Sequence, residues 1–475
     1  MRDDDVKLVV PADLSSMTTY VLLEQEAWFE KEPAFLRRWL KPGMTAIDVG
    51  ANLGVYALPM ARLVGPRGRV VAYEPGGAAR QLLEESRGLN DASGLEVVGL
   101  ALSDSEREGR LRIRASSEHN ALDDDGDGEP VRITTLDREL ARLQSASADF
   151  IKIDAEGEEE RILAGGREFF ARQSPLVMFE VKAEKGVHAN LLTTFGQMGY
   201  RLFRLLVGAP ILVPFEPAVG PDPFELNLFA AKPDRVASLC AEGVAVDRIS
   251  DWEADPDAIA AGLRALRRRP FARMFGERLQ DPGRIDPDYA AGLAAFAAWR
   301  NASLPAPARC AALYAAYRTL AALCNRSPTT ARYATFARVA QEGGWRGESV
   351  VALRQMAAYT RQHPYQADEP CWPANPRFDD IPGAGNPAAW FATAVLEQLE
   401  MAQTYSSFIT GMTPWLDWLC GQALASHEML RRRTLIEARR GADPPVPPPL
   451  RKAAKDHVNV DIWRGGKVPG TRVDA

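Results

Sequence analysis

Acids at the ends of apolar runs are the side chains of this sequence whose type and spacing best suit chemistry. In Ala46-Ile47-Asp48-Val49-Gly50-Ala51-Asn52-Leu53-Gly54 an apolar run meets an acid, and Gly50 and Gly54 bracket a tight turn. Glycine there lets the backbone approach a ligand closely and take torsions that other residues resist. A dinucleotide-binding turn would read G-x-G-x-x-G, so that its amides could cradle a pyrophosphate. Asp48 stands where such a turn avoids negative charge. The expected ligand is therefore a cationic nucleoside, S-adenosylmethionine (SAM), whose amino and sulfonium groups are both positive. Glu74, which follows Val70-Val71-Ala72-Tyr73 and precedes Pro75, is placed to accept both ribose hydroxyls. Asp48, Gly50, Asn52, Gly54, Glu74 and Pro75 are thus the expected cofactor contacts. Ser103 and Asp104, at the end of the next apolar run, join them as candidates for the adenine amine.

Three further acids occur in Lys152-Ile153-Asp154-Ala155-Glu156-Gly157 and Phe179-Glu180-Val181. They should converge where the transferable methyl group points. Asp154, Glu156 and Glu180 are candidate general bases for an attacking hydroxyl, and repulsion among them should raise at least one pKa. Asp154 and Glu180 could instead hold a divalent cation against the acceptor oxygen; a metal-free base is the expectation. His119 and His188 lie on loops that could face the acceptor, and His119 is kept as a catalytic candidate. Trp28 and Phe29 either close over the methionine end or pack a first helix on the sheet. Asp123, Asp125, Asp127 and Gly128 imitate the start of a calcium loop. Thr134 stands at its twelfth position and no helices flank it, so an acidic hairpin tip is expected.

The elements that must position these residues alternate. Short β-branched runs over 45–49, 69–73, 96–101, 149–154 and 176–181 are separated by helical stretches, the grammar of a parallel sheet covered by helices. Runs 200–206 and 225–231 have no helix between them and read as an antiparallel hairpin. Residues 19–40 predict one helical cover before the first strand. After Pro233 strand signals stop. Helical spacing dominates 288–299, 306–323, 329–342 and 347–362, and Ala340, Ala352 and Pro364 fall at the spacing of one tetratricopeptide-like pair. The expected division is an α/β unit over 1–234, an α-helical unit over 235–442 and a Pro-rich extended tail over 443–475.

The 475 residues exceed one ordinary core. A net charge of −6 gives no general attraction to nucleic acid. The basic runs Arg267-Arg268-Arg269 and Arg431-Arg432-Arg433 read as solvated helix faces. Five cysteines without C-x-x-C spacing argue against a disulfide scaffold or zinc site. No apolar run approaches the ~20 residues of a membrane span, and the N-terminus is acidic, so a cytoplasmic protein is expected. Trp372, Trp390, Trp415 and Trp418 are expected as buried anchors of the helical half.

Together, the segment from Asp48 to Gly54, Glu74-Pro75, Thr134-Thr135-Leu136-Asp137, Lys152 to Gly157 and Phe179-Glu180-Val181 resemble the FkbM-type methyltransferases over roughly residues 17–232. Two positions depart from the family pattern: Ala155, where Val is usual, and Gly76-Gly77, where a polar residue usually follows Glu-Pro. The resemblance implies a class I SAM-dependent, Rossmann-like seven-stranded sheet. It also implies O-methylation of a hydroxyl on a sugar, glycan or natural product. The alternative is a SAM-binding regulatory or assembly module whose helical half recruits a protein partner or a second copy.

Overall fold

The computed structural model describes residues 1–114, 120–122, 128–140, 147–183, 186–187, 189–279, 282–360, 362–363, 365–452 and 459–465. Eight strands form the main sheet: β1 Thr45–Val49, β2 Arg69–Tyr73, β3 Leu95–Val98, β4 Phe150–Ile153, β5 Leu176–Glu180, β6 Arg201–Leu206, β7 Ile211–Pro214 and β8 Asn227–Ala231. Their spatial order is β7-β6-β8-β5-β4-β1-β2-β3. From β5 to β3 all neighbours run parallel. β8 is antiparallel to β5, β6 to β8, and β7 to β6. The sheet is that of a class I methyltransferase with one strand, β7, added at its edge.

Burial explains why these runs are strands. Every residue of β1 and β4 is buried, as expected where helices cover both faces of a parallel sheet. Ala46, Phe150 and Met178 pack on one face, and Ile47, Ile151 and Val177 on the other. The two charged residues in these strands, Asp48 and Lys152, are neighbours in the parallel register.

Several expectations need correction. The runs 200–206 and 225–231 do pair antiparallel, but β7 intervenes between them, so they are not a direct hairpin. The single cover helix is two, Met17–Gln25 and Glu32–Trp39. Glu26 takes a left-handed backbone (φ 64°) that ends the first, and Pro33 opens the second. The third strand stops at Val98, and Ala101–Leu102 pairs instead with Glu129–Thr134 in a separate four-stranded sheet.

Beyond β8 the chain is helical. Pro256–Arg267, Pro287–Trp299, Ala306–Arg326, Thr330–Glu342, Arg346–Thr360 and Pro387–Ala402 pack in succession. The helices of the tetratricopeptide-like pair form and touch, but nothing supports that resemblance further. Their core is continuous with the sheet edge, because Leu206, Ile211 and Val213 belong to the same buried cluster. Trp372 and Trp390 are buried as expected, whereas Trp418 is exposed. The described part of the tail is not extended: Val446, Leu450 and Trp463 are buried against Leu14, Tyr20 and Leu23. Arg431 and Arg432 are not a solvated face either. They sink beside Glu24, Glu26, Glu400 and Glu428. No helix among the described residues is long and apolar enough to cross a membrane.

Candidate functional site

The carboxyl ends of β1, β2, β4 and β5 open into a cavity of about 330 Å³, the place where open α/β sheets bind ligands. The turn after β1 shapes its floor. Gly50 (φ 78°) lies so close to the end of β4 that a Cβ would collide with the Asp154 carbonyl oxygen. The Gly50 and Ala51 amides donate to the Tyr73 carbonyl at 3.0 and 3.1 Å, which ties the turn to β2. Asn52 also has a left-handed backbone (φ 46°), and its buried side-chain oxygen has no hydrogen-bond partner among the described residues.

Asp48 is fully buried beneath this turn. Neither of its oxygens completes a hydrogen bond among the described residues, although the Ala57 amide is near. Its closest cation is Lys152, with Nζ 3.9 Å away. Burial pushes the Asp48 carboxyl up to about 6, against the pull of Lys152. Glu74 receives the Asn52 amide on Oε2 at 2.8 Å and the Gly76 amide on Oε1 at 2.7 Å. Burial still raises it to about 7. The two amides fix its plane and leave lone pairs on both oxygens for a diol. Orphaned acceptors at Asp48 and Asn52, a backbone floor that excludes side chains and an oriented carboxylate fit a cationic nucleoside such as SAM.

At the opposite rim, carboxylate oxygens of Asp154, Glu156 and Glu180 lie within 4.8 Å of one another. Glu156 has a left-handed backbone (φ 49°) and is exposed. Burial first, then the charges of Asp154 and Glu156, pushes Glu180 up to about 9. Asp154 accepts from Lys152 Nζ at 2.7 Å. Burial opposes the charge on Lys152, but Asp154 and Asp48 outweigh it and hold the ammonium above its usual pKa. The chemistry available is proton transfer at a cluster of acids balanced by one buried cation.

The expected residues divide clearly. Asp48, Gly50, Asn52, Glu74, Pro75, Asp154, Glu156 and Glu180 all line the cavity, as do Trp28 and Phe29. Gly54 shapes the turn (φ 86°) behind it. Ser103 and Asp104 do not line it: the buried Ser103 hydroxyl donates to Glu158 at 2.6 Å, and Asp104 is exposed beside Arg107. Leu100, Ala101 and Leu102 take that edge. His119, His188 and the acidic tip at 123–127 lie outside the described residues.

Sequence reasoning missed Lys152, Glu30, Tyr56 and Tyr405. A lysine inside the apolar run Phe150-Ile151-Lys152-Ile153 was itself a signal, because a buried charge requires a partner. Glu30 accepts from the Tyr56 hydroxyl, and burial followed by the charge of Glu32 raises it to about 8. Tyr405 and Ile409 reach the cavity from the helical half, and no local pattern announces that.

The methyltransferase FkbM domain family matches residues 48–202. Curated proteins give no match. Among solved structures, a SAM-dependent methyltransferase from Aquifex aeolicus is 15% identical, covering 44% of this chain and 89% of that one at a TM-score of 0.26. A precorrin-6y C5,15-methyltransferase from Geobacter metallireducens is 13% identical (42% and 86% covered, TM-score 0.25). An rRNA methylase from Streptococcus thermophilus is also 13% identical (42% and 93% covered, TM-score 0.25). Likenesses this weak carry no argument about acceptor or activity. The family match and the strand order do agree with each other: the N-terminal half of this chain carries an FkbM-type, SAM-dependent methyltransferase domain.

Proposed function

We propose that the protein transfers a methyl group from SAM to a hydroxyl oxygen of a sugar, glycan or natural product. The observation that carries the reading is one cavity with two acidic ends. Asp48 and Glu74 are buried at the cofactor end, and Asp154, Glu156 and Glu180 cluster at the other. SAM, when bound, supplies an activated methyl carbon on a positive sulfur.

The chain's own residues supply the rest. Asp48 offers negative charge to the cationic amino-acid end, and Glu74 holds the ribose. Phe29, Trp28 and Tyr56 exclude water from the cavity. An acceptor hydroxyl held between the two ends would lie in line for the methyl carbon, and the acid cluster would take its proton as the methyl group leaves sulfur for oxygen. Alignment of this kind is worth roughly 7–11 kcal/mol of barrier. Glu180, raised to about 9 by burial and then by its neighbours, is a strong proton acceptor in its ionised form, a fraction that grows as pH rises. Lys152 holds Asp154 oriented beside it through their hydrogen bond. The same three acids are close enough to hold a divalent cation, which would supply positive charge for the acceptor oxygen.

Formation of S-adenosylhomocysteine from SAM with a panel of hydroxylated acceptors tests the reading. Turnover that survives a chelator identifies the acid cluster as the base. Turnover lost to chelator and restored by magnesium assigns the cluster to a metal. SAM binding without turnover on any acceptor would favour a SAM-binding regulatory module instead.

A further inference from the structure

A second chamber, of about 450 Å³, lies between the sheet edge and the helical half, and shares Phe29 and Tyr405 with the SAM cavity. The two rings meet there, with centroids 5.2 Å apart. Six cationic side chains line this chamber (Lys31, Arg300, Arg309, Arg338, Arg346 and Arg432) against two acidic ones, Glu342 and Glu428.

Half of that positive charge is balanced by protein. Arg338 pairs with Glu342 and Asp379, Arg300 with Asp379, and Arg432 with Glu24, Glu400 and Glu428. The other half forms no ion pair among the described residues. Arg346 spends its donors on the carbonyls of Met401, Ala402 and Thr404, and Arg309 donates to the Trp299 carbonyl. Lys31 Nζ has no ion pair among the described residues. Lys31 is an exposed residue that also lines the chamber. Burial lowers the pKa of Arg309 and Arg346, so each carries charge at a cost that an anion would relieve. Glu428 and Asp222 act on Lys31 and Arg346 respectively, and neither forms a pair with them. The Gln341 side-chain oxygen, also in the lining, is buried with no hydrogen-bond donor among the described residues and suits a ligand hydroxyl.

We infer that this chamber binds the phosphoryl group of the methyl acceptor, a phosphorylated sugar or polyol whose reacting hydroxyl reaches past Phe29 and Tyr405 into the SAM cavity. Several unpaired cations around one space match a multiply charged anion better than a single carboxylate. The inference rests on the methyltransferase reading for the acceptor's role.

The test is calorimetric titration of inorganic pyrophosphate into the full chain, with malonate as the carboxylate control. Wild type should bind one pyrophosphate per chain, more tightly than malonate, with or without SAM. Lys31→Gln should weaken pyrophosphate about tenfold, the loss of one charge-assisted contact, and leave SAM affinity unchanged. Arg309→Gln is the independent second variant and should act in the same direction. Absent binding, equal affinity in both variants and wild type, tighter malonate, or displacement by SAM would each overturn the inference. A chain that takes SAM but ignores pyrophosphate sinks this inference alone. One that takes pyrophosphate but never SAM removes the acceptor role together with the reading beneath it.

Discussion

Four acids of the cavity, Asp48, Glu74, Glu30 and Glu180, are all raised by burial, to about 6, 7, 8 and 9. An empty site therefore holds protons that a cationic ligand must displace. SAM should bind better as pH rises from about 5 to about 8, because ionised Asp48 and Glu74 are the binding forms. Below both pKa values the affinity should fall about tenfold per pH unit for each proton displaced. Calorimetry in two buffers of different ionisation heat would count the protons released; a flat profile with none released would contradict it. Glu180 sets a stability expectation too. Its folded pKa lies above its unfolded value of 4.5, so the folded state binds the extra proton. Stability from this group is present below pH 4.5 and is lost as pH rises toward about 9. Glu180→Gln removes that loss, so thermal melts should show the variant more stable than wild type at pH 8 and nearly equal at pH 4.5. An unchanged gap across that range would mean that Glu180 is not the strained member of the cluster.

At the scale of elements, the turn after β1 is the most constrained segment. Gly50→Ala adds a Cβ against the Asp154 carbonyl at a positive φ, which should cost about 1–3 kcal/mol and abolish SAM binding. Urea unfolding and a binding titration check the two parts; wild-type affinity would show that the turn does not carry the ligand. This turn was legible in the sequence because its signals are local: an apolar run, an acid and two glycines within nine residues. The five parallel strands β1 to β5 followed from the same alternation of strands and helices. What escaped depended on contacts distant in sequence. Ser103 looked like an adenine contact, but its partner is Glu158, and nothing near Ser103 says so. β7 was missed because Ile211–Pro214 is four residues long and unflanked by helices. The solvated reading failed at Arg431 and Arg432, where Glu24 and Glu26 at the end of the first helix cover the face, and held at Arg433, which is exposed.

The whole molecule is joined across its halves by the first helix. Tyr20 hydrogen-bonds Ser407 at 2.9 Å, and Ser407 in turn donates to Glu24. Glu24 and Arg432 are buried together, and burial raises the Glu24 carboxyl despite that partner. Removing one member of a buried ion network leaves the others uncompensated. Arg432→Ala should therefore cost about 3–5 kcal/mol, seen as a lower urea midpoint. It should also loosen the SAM cavity, because Met17 and Thr18 of the same helix line it. A midpoint within error of wild type would mean the two halves are not energetically joined there. The helical half is then part of the site, since it supplies Tyr405 and Ile409 to the cavity wall. The central claim is that this cavity grips SAM through Asp48 and Glu74, and the most direct test titrates SAM into the full chain and into Asp48→Asn and Glu74→Gln. The account predicts one SAM per wild-type chain and at least about tenfold weaker binding in each variant, the worth of one lost charged contact. Wild-type affinity in both variants, or no binding by wild type, would contradict it.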